Sequence, residues 1–182
     1  MTGESDVVIV PTAAAFTGAT QSAIELSLLF DGTDAKVEAL MNIDRTSSGE
    51  AYFATRIREA DFVVLSDGSP LHAKSVWHAS SIGEAIRDAS RVIAIGSVAS
   101  VLGEIMIDPR GGAPTVGLGY RSGLVLCVRA NDEQLHRTRS LLGSDVLLAV
   151  LGEHGAVYGD GETWKVLRDD VVVTREHEVV VL

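Results

Sequence analysis

Short apolar runs alternate with longer amphipathic segments along most of this chain. The clearest runs cover residues 6–10, 61–65, 91–95, 123–128 and 146–151. Runs of this length with little or no internal charge predict buried β-strands, and the segments between them predict helices. Strands that alternate with helices imply right-handed crossovers and a mostly parallel sheet. The pattern therefore predicts a three-layer α/β fold, with helices on both faces of a mostly parallel sheet.

Capping signals indicate where several helices begin. Thr20 is placed to cap a first helix, in which Ile24 and Leu28 share one face. The sequence Ser-Ser-Gly-Glu at 47–50 has the capping-box pattern and predicts the start of a second helix. Ser69 and Pro70 predict the cap and first turn of a third helical segment. A similar Ser-Ile-Gly-Glu at 81–84 predicts that this segment is built in two pieces.

Beyond residue 151 the pattern changes to short runs separated by turns. The turn sequences Gly159-Asp160-Gly161 and Arg168-Asp169-Asp170 predict antiparallel hairpins. We therefore expect a single domain over 1–182, with an α/β core at 1–151 and a β-hairpin tail at 152–182. Residues 178–182 read as an apolar strand that would promote aggregation if left unpaired. We expect it inside a sheet or at a subunit contact, and we expect a homo-oligomer.

Charge and cysteine content exclude several classes of protein. Fifteen basic against twenty-five acidic residues give a net charge of −10, and no basic stripe is long enough to follow a phosphate backbone. We therefore expect no nucleic-acid partner. The apolar runs are far shorter than the roughly 20 residues that cross a bilayer, and residues 1–6 lack a signal-peptide pattern. These observations predict no membrane association and a cytoplasmic location, and the single Cys127 predicts no intrachain disulfide.

Small and polar residues follow three of the predicted strands. They lie at Pro11–Ala15, Ser66–Pro70 and Gly96–Ser100. Ligands of open α/β sheets bind beyond the carboxyl ends of strands, so a cleft is expected where these segments meet. The third segment has the Gly-x-nucleophile-x-small spacing of a strand-to-helix nucleophile turn, but its central residue is Val98.

The order of these motifs resembles the cyanophycinase and dipeptidase E family of serine peptidases. The matching stretches are Val-Ile-Val-Pro-Thr-Ala at 8–13, Asp-Gly-Ser-Pro-Leu at 67–71, Ile-Gly-Ser-Val-Ala-Ser at 95–100 and Leu-Gly-Glu-His-Gly-Ala-Val at 151–157. The resemblance covers nearly the whole chain in order and implies a class I glutamine amidotransferase-like fold. Family members carry a Gly-rich strand ahead of the Pro-Thr-Ala strand, and this sequence begins after that point.

The resemblance also implies where the chemical groups would fall. The nucleophilic serine falls on Val98, and the base histidine falls near Ala130 or Asn131. The two glycines of the oxyanion loop fall on Asp67 and Gly68. Neither Val98 nor the two candidate base positions carry a side chain suited to attack or to proton transfer.

Elementary physics adds to this picture. A nucleophile elbow holds its central residue at positive φ, which is costly for a β-branched residue, so the turn at Val98 is expected to have relaxed. An inward-pointing Asp67 would place negative charge where an oxyanion must develop. The leading hypothesis is a peptidase-like protein without catalysis that acts in binding or assembly.

Two alternatives stay open. Ser97 or Ser100 could serve as the nucleophile of a serine-type peptidase or amide hydrolase with a rearranged site, although strand-exit hydrogen bonding and helix capping also account for these hydroxyls. The second is a small-ligand-binding protein that takes a small peptide or an amino-acid-like molecule. No metal or cofactor site is expected. The expected cleft residues are Thr12, Asp67, Gly68, Ser69, Gly96, Ser97, Val98, Glu153 and His154.

Overall fold

The chain has a mixed α/β fold that divides into two compact units, Met1–Val98 and Ala99–Leu182. The computed structural model describes residues 4–175 and 178–182. The first unit contains a parallel four-stranded sheet flanked by helices, and the second contains the antiparallel strands. Within the described ranges, every helix is too short or too polar to cross a bilayer.

The sheet of the first unit is parallel throughout. Its strands are β1 (Asp6–Val10), β2 (Lys36–Ala39), β3 (Phe62–Leu65) and β4 (Val92–Ala94), in the order β2-β1-β3-β4. The central strands β1 and β3 are almost fully buried, as expected for apolar runs covered on both faces. Their carboxyl ends lead directly into the predicted cleft segments.

The first helix buries a different face from the predicted one. This helix, α1 (Ala19–Ser27), begins after Gly18 and has no side-chain cap, so Thr20 does not cap it. Ile24 and Leu28 are 50% and 58% exposed. The helix instead packs Ala23 and Leu26 against β1 and β3. Small residues on the inner face allow close approach to the sheet, and apolar periodicity alone misses such a face.

The capping box predicted at 47–50 is not formed. Residues Ser47–Gly49 make a 3-10 turn, in which the Ser47 hydroxyl bonds Asp44, and α2 (Ala51–Glu59) begins without a side-chain cap. Because the Ser47 hydroxyl bonds Asp44, it does not cap α2.

The third helical segment is in two pieces, as predicted. They are α3 (Pro70–Trp77) and α4 (Ser81–Asp88). The cap of α4 is Ser80, one residue earlier than the predicted Ser81, and its hydroxyl accepts from the Gly83 amide.

A partly exposed ion network links α2 to the parallel sheet. The Arg56 guanidinium donates to Glu38 at 2.8 Å and to Asp6 at 3.1 Å. The Tyr52 hydroxyl donates to the other Glu38 oxygen at 2.5 Å. This hydrogen bond, aided by Arg56, lowers the pKa of Glu38, and the two carboxylates raise the pKa of Arg56. The network links α2 to both β1 and β2.

The second unit has a mixed sheet, whose antiparallel strands lie in the tail for which antiparallel hairpins are predicted. Strands β7 (Val125–Val128) and β8 (Leu148–Leu151) are parallel, but β11 (Val171–Arg175) and β12 (Glu178–Val179) add in antiparallel directions. Hairpins bring the tail back beside β8, and this return direction makes the pairs antiparallel. The remaining elements are β5 (Ile105–Ile107), β6 (Pro114–Val116), α5 (Asp132–Leu141), β9 (Val157–Gly159) and β10 (Trp164–Val166).

The apolar end of the chain is partly covered within its own unit. β12 pairs with β11, and Val180 and Leu182 pack on the cluster around Ala149 and Val173. Val181 is 98% exposed. The strand predicted over 178–182 is therefore a short edge strand followed by an irregular segment.

Candidate functional site

The sharp turn after β4 has its corner at Gly96. Gly96 has φ +65°. Among the residues that the structure describes, the non-glycine residues with positive φ are Ala79 and Arg129, so Val98 is not one of them. Val98 therefore does not adopt the elbow conformation, and its side chain is fully buried. The expectation of a relaxed turn centred on Val98 is therefore wrong, because the left-handed corner is present at Gly96. The corner itself lies two residues before the position that sequence spacing suggested, because the left-handed conformation goes to the residue without a Cβ.

The Asp67 carboxylate lies at this corner. Its Oδ1 accepts hydrogen bonds from the amides of Gly68 and Ser97, each at 2.8 Å. A Cβ atom built on Gly96 would overlap the Asp67 carboxyl group. The carboxyl group thus fills the space that a side chain at the corner would need. Two amide donors converging on one oxygen is the arrangement that stabilises an oxyanion, and here a side-chain oxygen of Asp67 occupies it.

The loop that carries Asp67 is fixed against the end of β1. Gly68 has φ +143°, and a Cβ there would overlap the backbone carbonyl of Ala13. The Ser69 amide donates to the same carbonyl at 2.7 Å. The Ser69 hydroxyl accepts from the His72 amide at 3.2 Å, which confirms the predicted cap of α3, with Pro70 in its first turn. Only glycine permits this approach of the two backbones.

Thr12 supports the site from inside the core. It is fully buried, and its hydroxyl donates to the backbone carbonyl of Asn42 at 2.8 Å. The indole nitrogen of Trp77 donates to the same hydroxyl at 3.2 Å. Asn42 Oδ1 and Ser66 Oγ are buried without a hydrogen-bond partner among the described residues. Thr12 thus joins the end of β1 to α3, and its side chain does not line an open cleft.

The two serines considered as replacement nucleophiles differ in exposure. Both lie in a 3-10 helix, Gly96–Leu102, where an α-helix was expected. Ser97 is partly exposed, and its amide is held by Asp67. Ser100 belongs to the second unit and is 5% exposed. Burial of this degree limits the access of any substrate to the Ser100 hydroxyl.

Glu153 and His154 lie in the second unit, in the loop between β8 and β9. Both are exposed. The His154 amide donates to the Asp170 carboxylate at 3.0 Å, and a Cβ on Gly152 would overlap that carboxylate. The loop is therefore held in place by Asp170.

The positions matched to the family's base serve structural roles. Ala130 packs on the cluster of Ile107, Cys127 and Leu148. Asn131 caps α5, because its side chain accepts from the Gln134 amide while Gln134 bonds the Asn131 amide. Burial raises the pKa of the Cys127 thiol, so this cysteine is protonated and unreactive at neutral pH.

The sequence does not predict the central contact of the site, the hydrogen bond from the Ser97 amide to Asp67. Asp67 and Ser97 are thirty positions apart, and no periodic pattern connects them. The only signal was an acidic residue at a loop position where the resembled family has glycine. Phe16 was not predicted either. It is 79% exposed, and its ring packs edge-on against the ring of His72, with 4.6 Å between the ring centroids. His72 lies in α3, just after the Ser69 cap. Over the described ranges, no cluster of three or more His, Cys, Asp or Glu side chains is placed to hold a metal ion.

Comparison with known proteins places the chain by its fold. No family model and no curated protein matches the sequence. Among solved structures, the chain is similar to a peptidase from an acI-B1 Actinobacterium, with a TM-score of 0.80 and 16% identity. The match covers 96% of this chain and 79% of that one. What the two proteins share at this identity is a peptidase-like fold.

Proposed function

We propose that this protein is a cyanophycinase- and dipeptidase E-like member of the class I glutamine amidotransferase-like fold that has lost peptide hydrolysis and acts in binding or assembly. We assign the position that corresponds to the family's nucleophile to Gly96 rather than Val98, because the elbow residue of such sites has positive φ. The residue after it, Ser97, then supplies the second oxyanion amide, and Gly68 supplies the first.

One observation supports the loss of hydrolysis most directly. The corner of the turn has no side chain, and the Asp67 carboxyl group occupies the space where one would project. A substrate carbonyl entering this site would meet neither a nucleophile nor free donors for its developing charge. A fixed carboxylate opposes the formation of an oxyanion at the same point, which raises the barrier to acyl transfer.

The retained part of such a site is its ability to bind. The loops after β1, β3 and β4 are held by a buried hydrogen bond of Thr12 and by close contacts at Gly68 and Gly96, which supports a defined surface at the strand ends. Exposed Phe16 and partly buried His72 add an aromatic face beside it. These features support a small peptide or an amino-acid-like molecule as the ligand.

Hydrolysis is tested with aspartyl dipeptides and cyanophycin as substrates. We expect no turnover above the uncatalysed rate and no labelling by a fluorophosphonate probe, read by mass spectrometry. Ser97→Ala and Ser100→Ala serve as controls. Turnover or labelling that one of these variants abolishes would establish the alternative, a serine-type hydrolase with a rearranged site.

Binding is tested by thermal shift with free amino acids and dipeptides. A ligand that binds only the folded protein raises the melting temperature with concentration. A saturable rise for at least one compound supports a binding role, and a flat response across the series argues against it.

Assembly is tested by light scattering coupled to size exclusion. The exposed Val179 and Val181 at the edge of the second sheet support a homo-oligomer. A monomer mass at micromolar concentration would remove assembly from the proposal.

A further inference from the structure

Strand β2 forms one edge of the four-stranded parallel sheet. The amides of Lys36 and Leu40 donate to carbonyls on the β1 side, each at 2.8 Å. Backbone groups point alternately to the two sides of a strand, so those of Val37 and Ala39 point away from β1. Among the described residues, no strand pairs with this outer side of β2. An unpaired strand edge of this kind is a template for pairing with another chain.

Charge selects one register for pairing β2 with the β2 of a second copy. A two-fold axis across the strands makes the pair antiparallel, and the outward-pointing residues then form its hydrogen-bonded pairs. An axis at Glu38 would set this carboxylate against its own copy, and like charges directly opposite destabilise a sheet. An axis at Ala39 would set Glu38 opposite Leu40, which gives no ion pair. An axis at Val37 sets Lys36 opposite Glu38 of the second copy.

The register centred on Val37 places these opposite charges where side chains come closest. Lys36 and Glu38 form non-hydrogen-bonded pairs, which have the shorter Cα separation, and the axis repeats the pair twice. Lys36 is exposed. The Glu38 oxygens accept hydrogen bonds from Tyr52 and Arg56, which hold the carboxylate in place for a second cation.

An exposed apolar surface lies beside β2 on the other face of the sheet. Val37 packs on the cluster beneath α1, together with the 3-10 turn that follows this helix. Leu28 and Leu29 lie in that turn and are 58% and 67% exposed. Over residues 7–30 the only charged residue is Glu25. A two-fold contact sets a surface against its own copy, so an apolar surface with few charges suits a second copy of this chain.

We propose that the protein forms a two-fold dimer through β2, with Val37 at the axis, so that two four-stranded sheets join edge to edge. The partner is a second copy of this chain. The inference goes beyond the proposed function, because it holds whether or not the protein hydrolyses peptides. It also uses a different surface from the edge at Val179 and Val181.

The register is tested by introducing single cysteines and oxidising in air. Val37→Cys sets two thiols opposite each other at the axis, within the Cα separation that a disulfide spans. Ala39→Cys is the matched variant, because its two copies lie more than about 10 Å apart in this register. Native Cys127 is buried and does not compete. We expect a covalent dimer of Val37→Cys alone on non-reducing gels, and its absence, or equal cross-linking of both variants, would overturn the proposal.

The charge pairs are tested by sedimentation equilibrium. Lys36→Glu sets like charges opposite each other in both pairs, so the dimer dissociation constant should rise at least about tenfold. Lys165→Glu makes the same change of net charge at an exposed position of β10 and should leave the constant nearly unchanged. A wild-type monomer at micromolar concentration would overturn the proposal. A dimer that Lys36→Glu does not weaken would reject β2 as the interface and leave assembly through the second unit standing.

Discussion

Trp77 donates a hydrogen bond from its indole nitrogen to the Thr12 hydroxyl at 3.2 Å, across 65 positions of sequence. Both residues are fully buried. The hydroxyl in turn donates to the Asn42 carbonyl at 2.8 Å, so one small side chain joins the end of β1, the segment after β2 and the end of α3. The strand-end surface rests on this junction.

Thr12→Val should therefore destabilise the protein although it preserves the volume of the side chain. The substitution leaves a buried carbonyl without its donor, which costs about 2–3 kcal/mol in the free energy of unfolding. Thr12→Ser keeps the hydroxyl and loses one methyl group, which costs about 1 kcal/mol. Urea unfolding followed by tryptophan fluorescence measures both values. A serine variant as unstable as the valine variant would show that packing, and not the hydrogen bond, is decisive.

Gly68→Ala should be among the most destabilising single-methyl additions in the first unit. Its Cβ would overlap the Ala13 carbonyl, and the residue has φ +143°. We expect a loss of about 2–5 kcal/mol, from backbone strain plus overpacking. Gly18→Ala is the control, because Gly18 has φ +116° but a Cβ there would lie 3.7 Å from the nearest atom, Gln21 Cβ. The control should cost about 1–2 kcal/mol. Equal losses would mean that the close approach to Ala13 is relieved by backbone movement.

Gly96→Ala should displace the Asp67 carboxylate. The new Cβ would overlap the carboxyl group, so Asp67 must turn away from the two amides or the corner must change shape. We expect a loss of about 2–4 kcal/mol, together with upfield movement of the Gly68 and Ser97 amide proton resonances. Gly32→Ala separates backbone strain from the collision with Asp67, because Gly32 has φ +79° and, within the described part of the chain, no atom lies within 4 Å of its added Cβ. It should lose about 1 kcal/mol.

The hydrogen bond from Tyr52 to Glu38 should make stability depend on pH. In the folded protein the hydrogen bond from Tyr52 lowers the pKa of Glu38 below its ordinary value of 4.5. A lowered carboxyl pKa contributes stability that is complete above the unfolded pKa and is lost as the pH falls through the folded value. Tyr52→Phe should therefore lower the urea midpoint at about pH 7 and have a smaller effect at about pH 3.

Tyr158→Phe is the control for this pH experiment. Tyr158 is 50% exposed on β9, so loss of its hydroxyl should leave the midpoint nearly unchanged at both pH values. If the Tyr52→Phe effect were the same at both pH values, the charge on Glu38 would not be its cause.

The sequence could predict the strands of the first unit because their physics is local. The runs 6–10 and 61–65 carry no charge after the leading aspartate, and a fully buried parallel strand is what such a run forms. The Ser69 cap and the break before α4 were also visible, since capping depends on residues a few positions apart. The buried face of α1 could not be predicted, because it includes Ala19 and Ala23 while the larger Ile24 and Leu28 are exposed.

The candidate site was only half predictable for a related reason. The sequence indicates that segments after β1, β3 and β4 share one edge, because parallel strands end on the same side. It also indicates that the acidic Asp67 is misplaced for oxyanion chemistry. It cannot say which residue of Ile95-Gly96-Ser97-Val98 turns the corner, because several neighbouring residues are small and the choice depends on what fills the space opposite.

The filling of the Gly96 corner by Asp67 also restricts how this protein could change over generations. A serine at position 96 would collide with the carboxylate while Asp67 remains, and a glycine at position 67 alone would leave a corner that still has no side chain. The first step adds a hydroxyl but disturbs the fold, and the second provides no nucleophile. A side chain at position 96 therefore fits only if position 67 changes with it, so the two positions are expected to vary as a pair.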